Sequence, residues 1–285
     1  MTAPFFRDHA AIVTGASSGI GRALALRLAD QGARVTLAAR NVARLEALAQ
    51  ECRQRGGQAF VVPADVTNEA QCRALIERTL GEYGCLDMLI NNAGIGLVAR
   101  LDELHDLHLF KQVLDVNLYG ALYCTYYALP HLKQTHGRLV NISSLGGRVA
   151  IPHNTAYIAS KFALEGFSES LRMEVQADGV SVTVISPYWV ITEFHEHYMD
   201  KDGQAKGPSG RAIYTDKTMT ADECARISLE AARRRKRQVV MGPGHLLLWL
   251  KLIAPNWLDR LTIALFLRPM ARRVREASQQ EVKRS

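Results

Sequence analysis

Tyr157 and Lys161 are the first residues whose types and spacing suggest chemistry. They lie four residues apart in residues 154–176, where apolar side chains recur with helical periodicity. Residues four apart share one face of a helix, so we expect the two side chains to be neighbours. A nearby ammonium favours the phenolate and lowers the pKa of a tyrosine, which suits it to acid–base chemistry near neutral pH. Such pairs also occur on solvated helix surfaces, so the spacing alone leaves a surface pair as the alternative.

Ser144 is the second candidate for chemistry. It directly follows a predicted apolar strand, Arg138 to Ser143. Ligands of open α/β sheets bind at the carboxyl ends of the strands. A hydroxyl at that edge could therefore hold a carbonyl oxygen beside the tyrosine.

A glycine-rich turn at residues 14–21 (TGASSGIG) indicates a site for a dinucleotide. It lies between an apolar run typical of a buried strand, Ala10 to Thr14, and a helical pattern that begins near Ala23. Glycines at such a turn allow positive φ and let backbone N–H groups approach a pyrophosphate, which the helix N-terminus also favours. The spacing differs from the general GxGxxG pattern, so a turn without a cofactor is the alternative.

The end of the second predicted strand, residues 32–40, bears on the type of dinucleotide. It lies about 20 residues beyond the glycines, where an acidic residue would bind a free ribose 2′-hydroxyl. Ala39 and Arg40 occupy that end instead. A guanidinium suits a 2′-phosphate, so we expect NADP(H) in preference to NAD(H), with a solvated arginine as the alternative.

Between about Ala10 and Thr192 the chain resembles the short-chain dehydrogenase/reductase family. The resemblance is carried by the TGxxxGxG turn, by an NNAG motif at residues 91–94, and by the YxxxK pair. It implies an α/β fold of three layers, a Rossmann fold with a doubly wound parallel β-sheet flanked by helices. It also selects Ser144 over Ser143, because the family serine precedes the tyrosine by thirteen residues, as Ser144 does.

The resemblance also implies functional residues. The catalytic set would be Asn117, Ser144, Tyr157 and Lys161, with Asn117 supporting a water-linked proton path and Lys161 holding the nicotinamide ribose. The implied cofactor contacts are Gly15, Ser17, Ser18, Gly19, Ile20, Gly21, Arg40, Asp65, Val66, Asn92, Gly94, Tyr157, Lys161, Val190 and Thr192. One position departs from the family pattern, because Tyr188 stands where a glycine usually follows Pro187, and we interpret this as a change in pocket shape.

Composition and element order favour one domain that spans residues 1–285. Predicted strands and helices alternate to about residue 186, followed by a substrate lid at about 188–218 and a C-terminal extension at about 244–285. The five scattered cysteines lack CxxC spacing, and residues 1–9 lack an apolar signal core. We therefore expect reduced thiols, no zinc site and a cytoplasmic protein.

Two further patterns have only weak functional interpretations. In the predicted lid, His195, His197, Tyr198 and Met199 are candidates for substrate contact, and the His-x-His spacing alone does not predict a metal. The basic run at residues 233–237 lies at a predicted helix end, where the helix dipole favours cations, so we expect no nucleic-acid partner.

The C-terminal extension contains two apolar runs, Leu246 to Leu250 and Leu261 to Leu267, flanked by arginines and lysines. Neither run is long enough to span a bilayer. Packing against the body or a neighbouring subunit is the favoured interpretation, and peripheral contact with an anionic membrane is the alternative. The net charge of +7 fits both.

These observations together predict an NADP(H)-dependent oxidoreductase that interconverts a carbonyl and an alcohol on a lipophilic small molecule, with Tyr157 as general acid/base. An NAD-linked alcohol dehydrogenase and a non-catalytic cofactor-binding sensor or scaffold are the alternatives. The resemblance further implies a homodimer or homotetramer. The substrate and the direction of the reaction stay open.

Overall fold

The computed structural model describes residues 4–207, 214–215 and 218–264. Within them, seven strands form one parallel sheet in the order β3-β2-β1-β4-β5-β6-β9, and β7 pairs with β8 in a separate two-stranded sheet. The strand order reverses between β1 and β4, which creates the crevice where such sheets bind ligands. The strands are β1 (Ala10–Thr14), β2 (Arg34–Ala39), β3 (Gln58–Pro63), β4 (Met88–Asn91), β5 (Arg138–Ile142), β6 (Ser181–Ser186), β7 (Val190–Ile191), β8 (Met219–Thr220) and β9 (Gln238–Val240).

Helices cover both faces of the sheet, as expected for a parallel sheet buried on both sides. Along β1, Ala11 and Val13 pack with α1, α2 and α7, whereas Ile12 packs on the opposite face with α3, α5 and α6. The predicted three-layer Rossmann architecture is therefore confirmed. The helices are α1 (Gly19–Ala29), α2 (Val42–Gln54), α3 (Glu69–Tyr83), α4 (His108–Leu114), α5 (Gly120–Gln134), α6 (Thr155–Glu174), α7 (Ala221–Arg233) and α8 (Gly244–Ile253).

A π-helical turn, Asp115–Tyr119, joins α4 to α5 and carries Asn117. Such turns are rare in proteins, and those that occur are frequently found at functional sites. The sequence pattern did not predict it.

The predicted lid and C-terminal extension are described in part. Lid residues 208–213 and 216–217 and extension residues 265–285 lie outside the described residues. α7 begins at Ala221, because the two residues before it, Met219 and Thr220, pair with β7. After α8 the chain is helical again over residues 255–264, where Leu258 packs on Leu145, Val149 and Val240. None of the described helices has the length and hydropathy needed to cross a membrane.

Candidate active site

The glycine-rich turn joins the end of β1 to α1 with backbone geometry that glycine alone allows without strain. Gly15 and Gly19 have φ angles of 63° and 53°. A Cβ atom on Gly21 would lie 2.3 Å from the Gly15 carbonyl oxygen and 2.5 Å from Asn92 Nδ2. The Asn92 amide in turn donates to the carbonyl oxygens of Thr14 and Gly15, at 3.0 and 3.2 Å. Asn92 thus holds the turn in place from β4.

The turn fits a pyrophosphate group. α1 begins at Gly19, and within the described residues the preceding Ser18 makes no side-chain capping hydrogen bond. The first N–H groups of this helix therefore remain available to an anion, in the positive field of the helix end. Ser17 and Ile20 line the cavity beside them. The residues present thus fit the pyrophosphate of a nicotinamide dinucleotide.

The end of the cavity beside β2 contains two arginines. Arg40 is exposed after β2, and within the described part of the chain its guanidinium forms no hydrogen bond or ion pair. Arg44, which sequence reasoning missed, donates to Glu193 Oε2 at 2.7 Å and so connects α2 with the lid. Asp65 lines the cavity, and its Oδ1 accepts hydrogen bonds from the Thr67 N–H and hydroxyl groups. The neighbouring Val66 packs under Gly120, where a Cβ would lie 2.7 Å from it.

Ser144, Tyr157 and Lys161 lie together at the other end of the same cavity. Tyr157 and Lys161 are 7% and 4% exposed, so the surface-pair alternative is wrong. The Lys161 ammonium lies 5.8 Å from the centroid of the Tyr157 ring and donates to the Ile142 carbonyl oxygen at 3.0 Å. Ser144 Oγ accepts a hydrogen bond from Gly146 N, and Gly146 lies against the edge of the Tyr157 ring.

Ser143 and Ser144 occupy different environments. Ser143 is buried, and its hydroxyl would be 2.7 Å from a Cβ on Gly147, on the side of α6. Ser144 instead interacts with the Tyr157 hydroxyl and favours its ionisation. This geometry agrees with the selection of Ser144.

The pKa of Tyr157 shifts in the direction opposite to the one that the sequence predicted. Burial raises the pKa of Tyr157, because a phenolate loses its hydration inside the protein. Interactions with Ser144 and Tyr198 act in the opposite direction without reversing the shift. The expected net lowering by Lys161 is therefore wrong for the protein without ligands.

Lys161 is a buried cation with little compensation. Burial lowers its pKa to about 8, and Glu165 counteracts this only partly. At neutral pH the ammonium is still the main form, so Lys161 can donate hydrogen bonds into the cavity.

Asn117 is nearly inaccessible and joins three elements. Its Oδ1 accepts from Ile95 N at 2.8 Å, and its Nδ2 donates to the Ile95 carbonyl oxygen and to Ser160 Oγ. Gly94 lies between Asn117 and Lys161, since a Cβ there would be 3.3 Å from Asn117 Oδ1 and 3.7 Å from Lys161 Nζ. The side chain thus holds the segment after β4 against α6, and its role in a proton path stays a prediction.

An aromatic cluster from the segment predicted as a lid lies beside Tyr157. It consists of Trp189, Phe194, His195, Tyr198 and Tyr214, and two of its rings, Phe194 and Tyr198, lie about 6 Å from the Tyr157 ring. His195 Nδ1 is 2.7 Å from the Tyr214 hydroxyl, and burial lowers the pKa of this imidazole to about 4. His197 is exposed, so the two histidines have different environments, and no metal-ligand cluster is found among the described residues.

The whole cavity has a volume of about 720 Å³. Val190 and Thr192 line it beside Gly19, where a Cβ would lie 3.2 Å from the Thr192 side chain. Tyr188 is half-exposed at its edge. The C-terminal helices, which the sequence did not connect to the site, supply a further apolar wall made of Leu247, Leu258 and Leu261 together with Thr262.

Comparison with known proteins agrees with this geometry. The family model of the short chain dehydrogenases matches residues 9–203. An 11-beta-hydroxysteroid dehydrogenase from Pinus massoniana is 33% identical over 262 residues, which cover 90% of this chain and 73% of the relative. A dehydrogenase/reductase SDR family protein 7-like from Dictyostelium discoideum is 30% identical, over 90% of this chain and 81% of its own.

Two solved structures have the same fold. A short chain dehydrogenase/reductase from Burkholderia phymatum in complex with NAD superposes with a TM-score of 0.78 and 25% identity, over 90% of this chain and 96% of its own. An alcohol dehydrogenase from Thermococcus sibiricus complexed with 5-hydroxy-NADP gives a TM-score of 0.69 and 27% identity, over 82% of this chain and 96% of its own. This chain belongs to the short-chain dehydrogenase/reductase family of oxidoreductases.

Proposed function

We propose that this protein is an NADP(H)-dependent oxidoreductase that interconverts a carbonyl and an alcohol on a lipophilic substrate. The observation that carries the proposal is the grouping of Ser144, Tyr157 and Lys161 in the cavity that also contains the glycine-rich turn. A protein that only bound the dinucleotide would not need a buried proton donor beside a buried ammonium.

The roles of the side chains follow from their positions. Ser144 orients the substrate oxygen next to Tyr157, whose hydroxyl gives a proton to that oxygen in reduction and takes one in oxidation. Lys161 keeps a positive charge near the phenolate that forms, which offsets part of the cost of burying it. Asn117 fixes the segment that carries Gly94 and Ile95, next to Lys161. A bound nicotinamide supplies or accepts the hydride.

The preference for NADP(H) is supported by Arg40. Its guanidinium is exposed after β2 with no partner in the described part of the chain, and Arg44 lies nearby in the first turn of α2. A doubly charged phosphate would form charge-assisted hydrogen bonds there. The similar structures contain NAD in one case and an NADP derivative in the other, so the alternative is an NAD-linked alcohol dehydrogenase.

A large apolar substrate is supported by the cavity wall. Ile151, Ile158, Phe194, Leu247 and Leu258 face the space beside Tyr157. Relatives such as the Pinus massoniana protein are named 11-beta-hydroxysteroid dehydrogenases. We propose that the substrate is a bulky, largely apolar ketone or alcohol of about the size of a steroid.

The direct test is NADPH oxidation, followed by absorbance, against ketones of increasing size and apolarity. We expect turnover to rise with the apolarity of the ketone and to be lost in Tyr157→Phe, with NADPH binding retained. Tight NADPH binding without turnover of any ketone or alcohol would instead support the non-catalytic sensor. Faster turnover with NADH than with NADPH would overturn the cofactor assignment alone.

The C-terminal helices support a proposal about a further partner. Their inner side lines the cavity, while their outer side presents large apolar side chains that are 50–77% exposed. We propose that this outer surface contacts an anionic membrane. We also propose that the protein is cytoplasmic, has a single domain and forms a homodimer or homotetramer. The sequence beyond residue 264 adds six basic and two acidic residues, which favours an anionic surface. The exposed apolar residues are Leu246, Trp249, Leu252, Ile253, Trp257 and Ile263.

Sedimentation with lipid vesicles tests the membrane contact. Vesicles of phosphatidylcholine and phosphatidylserine should carry down the protein, and those of phosphatidylcholine alone should carry down less. A double variant, Leu252→Gln and Ile253→Gln, should stay in solution, while Met173→Gln, an equally exposed position on α6, should behave as the wild type. If the double variant binds vesicles normally but loses its oligomeric mass in light scattering, the surface is a contact between copies and the membrane proposal is wrong.

A further inference from the structure

Tyr198 of the lid lies against the candidate proton donor. Its ring centroid is 5.9 Å from that of Tyr157, and the two side chains are 8% and 7% exposed. Phe194 contacts both rings, at 6.0 and 5.1 Å between centroids. The sequence suggested Tyr198 as a lid residue in contact with substrate, and the family resemblance implied no role for it.

The ring of Tyr198 is fixed by the segment after β4. A Cβ atom on Gly96 would lie 2.1 Å from Tyr198 Cε1, so the ring packs directly on the backbone of Gly96. On either side of the ring, Met199 N donates to the Gly96 carbonyl oxygen at 3.0 Å and Lys206 N donates to the Tyr198 carbonyl oxygen at 2.9 Å. Two separate parts of the chain therefore hold this side chain in one place.

The Tyr198 hydroxyl remains protonated near neutral pH. Burial and the neighbouring Tyr157 raise the pKa of Tyr198 well above its ordinary value. The same contact favours ionisation of Tyr157. A protonated phenol is a hydrogen-bond donor, so its effect on Tyr157 is to stabilise the phenolate.

The other groups around Tyr157 do not provide the same donor. Lys161 lies on the same helix, 5.8 Å from the ring centroid and bonded to Ile142, with Glu165 one turn beyond it. From the lid, His195 is neutral above pH of about 4 and points its Nδ1 to Tyr214. Ser144 also favours ionisation of Tyr157, but its hydroxyl is the group that we assign to the substrate oxygen, so among the described residues Tyr198 is the hydroxyl left to act on Tyr157 alone.

We propose that Tyr198 is a positioning residue whose hydroxyl donates a hydrogen bond to Tyr157 Oη and holds the proton donor toward the substrate oxygen. The inference rests on the proposed function, because it concerns how that site transfers its proton. It also assigns a purpose to Gly96, which provides the space for the Tyr198 ring.

The test is Tyr198→Phe, which keeps the ring and removes the donor. We expect kcat to fall about tenfold with the KM for NADPH unchanged, because one hydrogen bond to a developing phenolate is lost. In the oxidation direction, the apparent pKa of the kcat profile should rise. Tyr126→Phe, on the exposed side of α5, is the matched control and should leave both unchanged.

Two additional measurements keep the outcome decisive. The Tyr157 resonance in ¹³Cζ-tyrosine NMR reports its ionisation without turnover, and its midpoint should move to higher pH in Tyr198→Phe. Gly96→Ala, which displaces the ring, should reproduce the kinetic change. A Tyr198→Phe protein with an unchanged profile and an unchanged Tyr157 midpoint would overturn the inference, even if kcat fell. A wild-type protein without turnover would instead contradict the proposed function. The NMR midpoint of Tyr157 would still show whether Tyr198 donates a hydrogen bond to it.

Discussion

Replacing Lys161 by methionine should make the protein more stable and inactive. Lys161 is 4% exposed, and its burial lowers the pKa from an ordinary value of 10.5 to about 8. Holding the ammonium in the folded state at pH 7 therefore costs about 3 kcal/mol, at about 1.4 kcal/mol for each pH unit of difference. The variant also loses the hydrogen bond to the Ile142 carbonyl oxygen, which lowers its free energy of unfolding by about 1 kcal/mol. The expected net gain for Lys161→Met at pH 7 is about 2 kcal/mol.

The sign of the pH dependence provides the assay. Between pH 8 and 10.5 the unfolded chain binds more protons at this position than the folded chain, so wild-type stability rises with pH. Urea unfolding at pH 7 and 9.5 should show the advantage of the variant shrinking by about 2 kcal/mol, to nearly zero. Lys111→Met, at an exposed position on α4, is the control and should show no such change.

Two results would refute this reasoning. One is a Lys161→Met protein that is less stable than the wild type at pH 7. The other is a stability difference that does not change with pH. If the prediction holds, Lys161 reduces stability and is retained for the chemistry of the site.

Three other predictions concern different parts of the site. Gly21→Ala should lower NADPH affinity at least tenfold in a fluorescence titration, because its Cβ would meet the Gly15 carbonyl oxygen. The control Gly166→Ala has open space around its Cβ and should raise the free energy of unfolding in urea by about 1 kcal/mol. Between pH 7 and 4.5, His195 stays largely neutral in the folded protein and is protonated on unfolding. The free energy of unfolding of the wild type should therefore fall by about 2 kcal/mol more than that of His195→Gln over this range. Equal falls in urea unfolding would contradict this prediction. Arg40→Ala should weaken NADPH binding by about tenfold or more while NADH binding stays the same, as measured by fluorescence titration; equal losses for both would refute the 2′-phosphate contact.

Much of the fold could be predicted because its signals are local. The apolar runs at β1, β2 and β5 are separated by turns and helical patterns, and the strands occur within two or three residues of the predicted positions. The helix predicted at residues 154–176 spans Thr155–Glu174. The π-helical turn at Asn117 has no such signal, because it depends on how α4 and the turn itself pack against α6.

The composition of the site was less predictable than its position. The motif spacing identified Ser144, Tyr157 and Lys161, but the net pKa shift of Tyr157 is set by burial, which sequence spacing does not report. The contact of Arg44 with Glu193 joins residues 149 positions apart. Likewise, Tyr198 reaches Tyr157 only because the lid pairs with the segment around Gly96.

The C-terminal helices show the same limit. Their apolar runs were visible in the sequence, but the division into an inner side with Leu247 and Leu258 and an outer side with Trp249 and Leu252 depends on where α8 docks. Of the two alternatives, packing on the body is confirmed for the inner side. The partner of the outer side stays a proposal.

The most direct test of the central claim is the transfer of deuterium from NADPH labelled at nicotinamide C4 to a bulky ketone, with the product measured by mass spectrometry. The label should be placed on each face of C4 in turn. We expect one of the two forms to give an alcohol one mass unit heavier, at a rate that falls by orders of magnitude in Tyr157→Phe. An unlabelled product with both forms, or an equal rate in Tyr157→Phe, would contradict it.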